Sequence, residues 1–455
     1  MRVMRSWISS VPLLALIPLF CQAVVQAKQV HLDVALAHPT MLLNDQEKSE
    51  NHLRIALKGF GLEDATRRAS VNVAIVIDRS GSMQGDKIDH ARQAAIQALD
   101  RLRDEDIVSV VTYATSVEVL VPATKATDRH RIKEQIRRIT ANGNTALFAG
   151  VSKGAAEVRK FHSERRVNRV ILLSDGLANV GPSSPSELGQ LGRSLVKEGI
   201  SVSTMGLGLG YNEDLMSTLA LESSGNHTFI EDADNLVAVF QREFDDVLSV
   251  VAQKIKIRAN FAQGTRPVKV LNHSASIHGQ TVTIELGQLY SQQERYFVIE
   301  VEIQHAKSGT SRPVAEVTVE YKNTITDTTD KLSNSVEGKF TDSKHVADAA
   351  INKAVLASCV IQIANERNRE ATEVRDRGDV AGAEKLLKDN VDYLEENYRR
   401  LGDAELKSRA ATNAAQAGGL SDPDWNRNRK SMREAQSADA SQQSYSGAGA
   451  KKSQP

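Results

Sequence analysis

The sequence predicts an α/β domain with a doubly wound, mostly parallel sheet, inserted in an antiparallel β-sandwich and followed by a C-terminal helical hairpin. Three observations support this fold class. Between residues 70 and 250, apolar stretches of strand length alternate with stretches whose apolar residues recur at helical spacing. From 251 to 341, apolar and polar residues alternate and no helical spacing occurs. From 342 onward the helical spacing returns.

The segment 28–69 contains two strand-like stretches, at residues 30–36 and 53–57, with polar residues between them. Two strands alone do not form a stable unit. We therefore expect them to complete the β-sandwich of residues 251–341. This arrangement would make the α/β segment an insertion within the sandwich.

The α/β segment contains two unbroken apolar runs that end at Asp78 and Asp175. Such runs are typical of parallel strands that are covered on both faces. Right-handed crossovers place the carboxyl ends of these strands at one edge of the sheet. The last helix of the segment, 235–250, continues into the next strand without Gly or Pro. It could transmit movement to the sandwich or simply cover the sheet rigidly.

Two helices at 342–410 are predicted to form the hairpin. Between them, Arg377, Gly378 and Asp379 copy an integrin-binding tripeptide. A helix stop followed by an Asp N-cap is the favoured interpretation. Residues 411–455 are rich in Ser, Gln, Asn, Ala and Lys, and this composition predicts a disordered tail.

Residues 1–27 are predicted to be a secretory signal peptide, with Arg2 and Arg5 at its start and a small-residue cleavage site at Ala27. Its removal would leave a periplasmic or secreted protein without a membrane span. Lys+Arg and Asp+Glu both number 57, and this balance gives no indication of nucleic-acid binding. Of the two cysteines, only Cys359 would then remain, so no internal disulfide is expected.

Oxygen-bearing side chains lie where the predicted strands end. Asp78 ends one strand, and Ser80 and Ser82 follow it at alternate positions; Asp175 ends another strand, and Thr145 precedes a helix. Because these ends meet at one edge of the sheet, the five side chains are expected to converge. Two carboxylates at one edge would repel each other unless a cation or a donor cluster lay between them. Oxygen ligands without Cys or His favour a hard cation.

The pattern Asp-x-Ser-x-Ser, followed by a Thr and then an Asp, resembles the metal-ion-dependent adhesion site of von Willebrand factor type A domains. The resemblance covers residues 70–250. It implies that Mg²⁺, with Mn²⁺ or Ca²⁺ as alternatives, is held by Asp78, Ser80, Ser82, Thr145 and Asp175. It further implies that the three hydroxyls contact the metal directly in the ligand-bound state, whereas the two carboxylates act through water.

The resemblance also implies a function, namely a metal-dependent protein-binding module of the cell envelope, for adhesion or as a scaffold. Its partner would be a protein that offers a Glu or Asp carboxylate. The alternative is a structural or assembly factor whose metal site only stabilises the fold. Capping of helices by the three hydroxyls, without any metal, is a further interpretation.

An enzyme is not predicted, because no general base or nucleophile accompanies the five residues. The stretch from Gly150 to Gly154 fits the Gly-x-Ser-x-Gly pattern of serine hydrolases. However, it falls inside a predicted helix rather than on a strand-to-helix turn, so Ser152 is not expected to be a nucleophile.

Overall fold

The computed structural model describes residues 29–43, 47–62, 68–421, 423 and 425–443. The predicted signal peptide at 1–27 lies outside the described residues, as do residues 444–455 of the predicted tail. Within the described ranges, every helix is too short or too polar to cross a bilayer.

The strands fall into three sheets. In chain order they are β1 (His31–Leu36), β2 (Thr40–Leu42), β3 (Lys48–Lys58), β4 (Ser70–Asp78), β5 (Ile107–Tyr113), β6 (Val117–Lys125), β7 (Arg166–Ser174), β8 (Ile200–Leu207), β9 (His227–Ile230), β10 (Val250–Phe261), β11 (Thr265–Val270), β12 (Ser276–His278), β13 (Thr281–Tyr290), β14 (Glu294–Gln304), β15 (Ser311–Asn323) and β16 (Thr329–Thr341).

The helices follow the alternation that the sequence predicts, and more of them occur at the C-terminal end. They are α1 (Asp86–Asp100), α2 (Arg129–Arg137), α3 (Leu147–Lys160), α4 (Pro185–Lys197), α5 (Glu213–Glu222), α6 (Leu236–Leu248), α7 (Lys344–Ala349), α8 (Lys353–Asp376), α9 (Val380–Leu401), α10 (Ala404–Gly418) and α11 (Trp425–Ser441).

The central sheet has the strand order β6-β5-β4-β7-β8-β9, and only the edge strand β6 runs antiparallel to its neighbour. Apolar clusters lie on both faces of this sheet, as the unbroken apolar runs predict. The chain proceeds outward from β4 in one direction to β5 and β6, and in the other to β7, β8 and β9. In open α/β sheets, ligands bind at the carboxyl ends of the strands beside such a reversal.

The N-terminal strands complete the sandwich. One sheet has the order β1-β3-β14-β11 and the other β12-β13-β10-β15-β16-β2. Ile55 of β3 pairs with Phe297 of β14 in antiparallel register, and apolar residues of both sheets form one cluster. The α/β segment therefore lies between β3 and β10, and the predicted fold class is confirmed. The pairing of β2 with β16 is parallel, an exception in an otherwise antiparallel arrangement.

The C-terminal region differs from the prediction of a disordered tail from residue 411. Helix α10 continues to Gly418, and α11 follows at Trp425–Ser441. The composition of this segment is too polar for it to form a core of its own. Instead, α11 packs against α5, α8 and β9, where its cations meet carboxylates of α5 and α8. These partners are distant in sequence, and the local pattern of residues therefore does not predict the contacts.

Two smaller predictions concern the helices. Gly378 has a φ of 91° between α8 and α9, and the Asp379 side chain accepts a hydrogen bond from the Gly382 N–H at 2.8 Å. The tripeptide is thus a helix stop followed by an N-cap. Cys359 is buried in α8, and burial raises the pKa of its thiol to about 12. A thiol in this state is a poor nucleophile.

Candidate functional site

Three loops meet at the carboxyl edge of the central sheet. The loop after β4 carries Ser80 and Ser82, the loop before α3 carries Thr145, and the loop after β7 carries Asp175. Backbone hydrogen bonds join the first two loops, because the Gly81 N–H donates to the Gly143 carbonyl at 2.9 Å. The structure therefore brings together all the residues that the sequence selects.

Asp78 is fully buried at the end of β4. Its Oδ1 accepts a hydrogen bond from the Ser80 N–H at 2.8 Å, and its Oδ2 accepts one from the Ser174 hydroxyl at 2.7 Å. Burial raises the pKa of Asp78, whereas the hydrogen bonds from Ser80 and Ser174 oppose this shift. The carboxylate thus holds the first loop in place from beneath.

Asp175 is also buried, and its two oxygens have different partners. Oδ1 accepts from the Ser82 hydroxyl at 2.7 Å, and Oδ2 accepts from Lys87 Nζ at 2.6 Å. Lys87 is not among the residues that the sequence pattern predicts for the site. One signal was available, since Lys87 lies in the first turn of α1, where the helix dipole disfavours a cation.

The three hydroxyls surround one small space. The Ser80 and Ser82 hydroxyl oxygens are 3.1 Å apart. A Cβ built on Gly176 would lie 2.9 Å from Thr145 Oγ1, 3.4 Å from Ser82 Oγ and 3.7 Å from Ser80 Oγ. Glycine at position 176 therefore keeps open the point on which the hydroxyls converge.

The capping interpretation does not account for these hydroxyls. Ser80 begins a short 3-10 turn but makes no side-chain capping hydrogen bond. The N-cap of α1 is Gly85 and that of α3 is Ala146, so neither Ser82 nor Thr145 occupies a capping position. Helix capping therefore does not explain the positions of the three hydroxyls.

The donor set fits a hard divalent cation. Hydroxyl and carboxylate oxygens are the ligands that Mg²⁺, Mn²⁺ and Ca²⁺ prefer. No group of three or more His, Cys, Asp or Glu side chains with metal-ligand geometry occurs among the described residues. A cation at this edge would therefore depend on the hydroxyls as well as on Asp78 and Asp175.

The Gly-x-Ser-x-Gly stretch is helical, as predicted, because it lies inside α3. A Cβ on Gly150 would approach the Tyr113 ring to 2.7 Å, and one on Gly154 would approach Val76 Cγ2 to 2.5 Å. The two glycines thus allow α3 to pack closely on the sheet.

The α/β segment resembles a known family of domains. Residues 72–242 match the family model of the von Willebrand factor type A domain. The chain is 24% identical over 368 residues to the uncharacterized protein sll0103 of Synechocystis sp., an alignment that covers 76% of this chain and 85% of that protein. It is 31% identical over 173 residues to inter-alpha-trypsin inhibitor heavy chain H3 of Mesocricetus auratus. This alignment covers 36% of this chain but only 19% of that protein.

Several solved structures resemble most of the chain, among them the following two. A von Willebrand factor type A protein from Catenulispora acidiphila superposes with a TM-score of 0.70 at 17% identity, over 91% of this chain and 98% of that chain. The ArnB paralog VWA2 from Sulfolobus acidocaldarius superposes with a TM-score of 0.62 at 16% identity, over 92% of this chain and 100% of that chain. At these identities the likeness shows the fold.

Domains of this type generally mediate protein–protein interaction and adhesion, and they often bind a divalent metal at the carboxyl edge of the sheet. The sheet order, the three loops and the family match agree with one another. Residues 72–242 of this chain are therefore a von Willebrand factor type A domain.

Proposed function

We propose that this protein captures an acidic side chain of a partner protein in the cell envelope, through a divalent cation held at the carboxyl edge of the central sheet. The residues that would hold the cation are Asp78, Ser80, Ser82, Thr145 and Asp175. One observation carries the proposal, namely the convergence of three hydroxyls on the space beside Gly176, with two buried carboxylates around them.

The charges of the site favour an acidic ligand. The carboxylates of Asp78 and Asp175 and the ammonium of Lys87 together leave one formal negative charge. A bound divalent cation would supply a positive centre and leave one formal positive charge. Because the hydroxyl ligands are neutral, a carboxylate from outside the chain is the group that neutralises this excess.

The alternative function, a metal that only stabilises the fold, has less support. All four carboxylate oxygens of Asp78 and Asp175 already accept a hydrogen bond from the protein itself. The two carboxylates are therefore stabilised by protein donors alone. At a metal concentration near its Kd, mass action adds only about 0.4 kcal/mol, so we expect removal of the metal at that concentration to change the melting temperature little. A structural metal would make the melting temperature fall by many degrees.

Metal binding is tested by calorimetric titration of the full chain with Mg²⁺ and with Mn²⁺. The Asp78→Ala variant should lose measurable binding. The matched control is Asp104→Ala, which removes an exposed carboxylate that pairs with Arg129. Equal affinity in Asp78→Ala and in the unmodified chain would refute the proposed ligand set.

Partner capture is tested by affinity isolation from an envelope extract in Mg²⁺ and in a chelator. The partner should be lost in the chelator, return with Mg²⁺, and be lost again with Asp175→Ala. Capture that responds to neither change would favour the structural alternative. Localisation is tested separately, because a cleaved signal peptide should give a mature N-terminus near residue 28 in the periplasmic or secreted fraction.

A further inference from the structure

Two exposed leucines belong to loops beside the candidate site. Leu177, two residues after Asp175, is 58% exposed, and Leu209, in the loop after β8, is 36% exposed. Within the described ranges, only five large apolar side chains are exposed to this degree, the others being Phe161, Ile277 and Val346. A single exposed leucine needs no explanation, but two beside one polar site suggest a contact surface. We call Leu177 and Leu209 the apolar rim.

The loop that carries Leu209 lies directly against the site. A Cβ built on Gly208 would lie 3.7 Å from Lys87 Nζ, and one built on Gly210 would lie 2.7 Å from the carbonyl oxygen of Asp175. Leu209 stands between these two contacts. Both members of the apolar rim therefore lie on the Asp175 side of the site.

The same loop is held from behind by α11. The Asn426 side chain donates to the Leu209 carbonyl at 3.2 Å, and Lys430 Nζ donates to the Tyr211 carbonyl at 2.8 Å. The Tyr211 ring is buried over Gly206, where a Cβ would approach it to 2.1 Å. A loop that is fixed in this way loses little conformational entropy when a ligand contacts it.

The loops that carry Ser80 and Thr145 are polar at the surface. Arg79 Nη1 donates to Asn142 Oδ1 at 2.5 Å, and Asn142 and Asn144 are both exposed. A ligand carboxylate at the centre would thus have apolar surface at the loops of Asp175 and Leu209, and amide and guanidinium groups at the loops of Ser80 and Thr145. This asymmetry gives the site a means of distinguishing the neighbours of an acidic residue.

On the basis of the proposed function, we infer that the apolar rim makes the site select an acidic residue whose immediate neighbour in the partner protein is apolar. An apolar neighbour removes surface of Leu177 and Leu209 from water, which adds affinity that a serine neighbour does not supply. A lysine neighbour on this side would also meet the ammonium of Lys87. The occupant is therefore a protein segment with a Glu or Asp next to a large apolar residue.

The test uses immobilised octapeptides with one central Glu or Asp, flanked by Leu, Ser or Lys, and the full chain as the soluble probe. In Mg²⁺ the Leu-flanked acidic peptides should bind about fivefold more tightly than the Ser-flanked ones, and in a chelator this binding should disappear. The double variant Leu177→Ser, Leu209→Ser should lose the preference for Leu but keep Mg²⁺-dependent binding of Ser-flanked peptides. Phe161→Ser, at the opposite end of α3, is the control and should keep the preference.

The possible results separate the inference from the function on which it rests. Equal Mg²⁺-dependent binding of Leu-flanked and Ser-flanked peptides would overturn the inference and leave the proposed function standing. Leu-dependent binding that persists in a chelator, or in the double variant, would overturn the inference as well. Absence of Mg²⁺-dependent binding to every acidic peptide would overturn both.

Discussion

At the scale of single residues, the absence of a side chain at position 176 keeps the candidate site open. Substitution of Gly176 by Ala would place a methyl group 2.9 Å from Thr145 Oγ1 and within 3.7 Å of both serine hydroxyls. We expect this variant to remain folded but to lose Mg²⁺ affinity by at least about tenfold, because the methyl group occupies the space on which the hydroxyls converge. Calorimetric titration measures the change.

The matched control is Gly418→Ala, since a Cβ at that position would meet no atom within 4 Å apart from its chain neighbours and the backbone of its own helix. Its Mg²⁺ affinity should equal that of the unmodified chain. Unchanged affinity in Gly176→Ala would show that the cation does not depend on this space.

Lys87 acts on the charge of the site. Its ammonium contacts Asp175 and offsets one of the two carboxylates. Lys87→Met should therefore bind Mg²⁺ about tenfold more tightly, because the cation no longer enters beside a positive charge. The same variant should bind acidic peptides more weakly in saturating Mg²⁺, since the site then carries less positive charge. Lys385→Met, which removes an exposed lysine of α9, should change neither affinity.

At the scale of elements, charged contacts hold α11 in its position. The Lys430 ammonium is buried between the Tyr211 carbonyl and Glu213, and Arg429 pairs with Asp214 and with Asp376. Lys430 contacts the loop of Leu209 at Tyr211, and Arg429 contacts α8 at Asp376. Helix α11 therefore connects the C-terminal helices to the candidate site. Its stability should therefore influence the loop that carries Leu209.

Glu434 of α11 should make this docking depend on pH. Its Oε1 accepts a hydrogen bond from the Phe229 N–H at 3.2 Å, yet burial raises the pKa of Glu434 from 4.5 to about 7. The folded state thus retains the proton more strongly than the unfolded state. The stability that the folded state gains from protonated Glu434 is fully present below pH 4.5, and it is lost as the pH rises through 7. The shift corresponds to at most about 3 kcal/mol.

Hydrogen exchange of α11, corrected for intrinsic rates, should accordingly show weaker protection at pH 8 than at pH 5.5. In Glu434→Gln the side chain is neutral at both pH values, so protection should no longer depend on pH. An equal loss of protection in this variant would assign the effect to other groups.

At the scale of the whole molecule, a buried arginine joins the type A domain to the sandwich. Arg169 of β7 donates to Glu243 of α6 at 2.7 Å and to Ser203 of β8 at 2.6 Å. Its second terminal nitrogen donates to Gln288 at 2.5 Å and to the Tyr290 hydroxyl at 2.7 Å, both in β13. The side chain is fully buried, so its charge depends on these partners.

Arg169→Met should lower the free energy of unfolding by about 3–5 kcal/mol, because it leaves the Glu243 carboxylate buried without its cation. The double variant Arg169→Met, Glu243→Gln should recover part of this loss. Arg159→Met, which removes an exposed pair with Glu198, should cost less than about 1 kcal/mol. Urea unfolding measures these free energies. An equal loss of stability in Arg169→Met and in the double variant would show that the unpaired Glu243 carboxylate is not the cause.

The pair of Arg169 with Glu243 also involves α6, the last helix of the type A domain. Helix α6 ends at Leu248 and β10 begins at Val250, so the direct junction expected from the sequence is present. The helix is also held to the sheet by stacked Phe240 and Phe244 and by the pair of Glu243 with Arg169. These contacts hold α6 against the sheet. A shift of α6 on ligand binding stays a prediction.

The sequence by itself determined the α/β order, the insertion in the sandwich and the five residues of the candidate site. It could do so because apolar periodicity is a local property, and because strand ends in a parallel sheet must share an edge. It missed β16, whose large apolar residues are only Leu332, Val336 and Phe340, so that no alternation of apolar and polar residues marks the strand. Only the tertiary structure decided the pairing of Lys87 with Asp175, the placement of Leu209 beside the site and the docking of α11. Lys430 and Glu213, for example, are 217 residues apart, and only the folded chain brings such charges together.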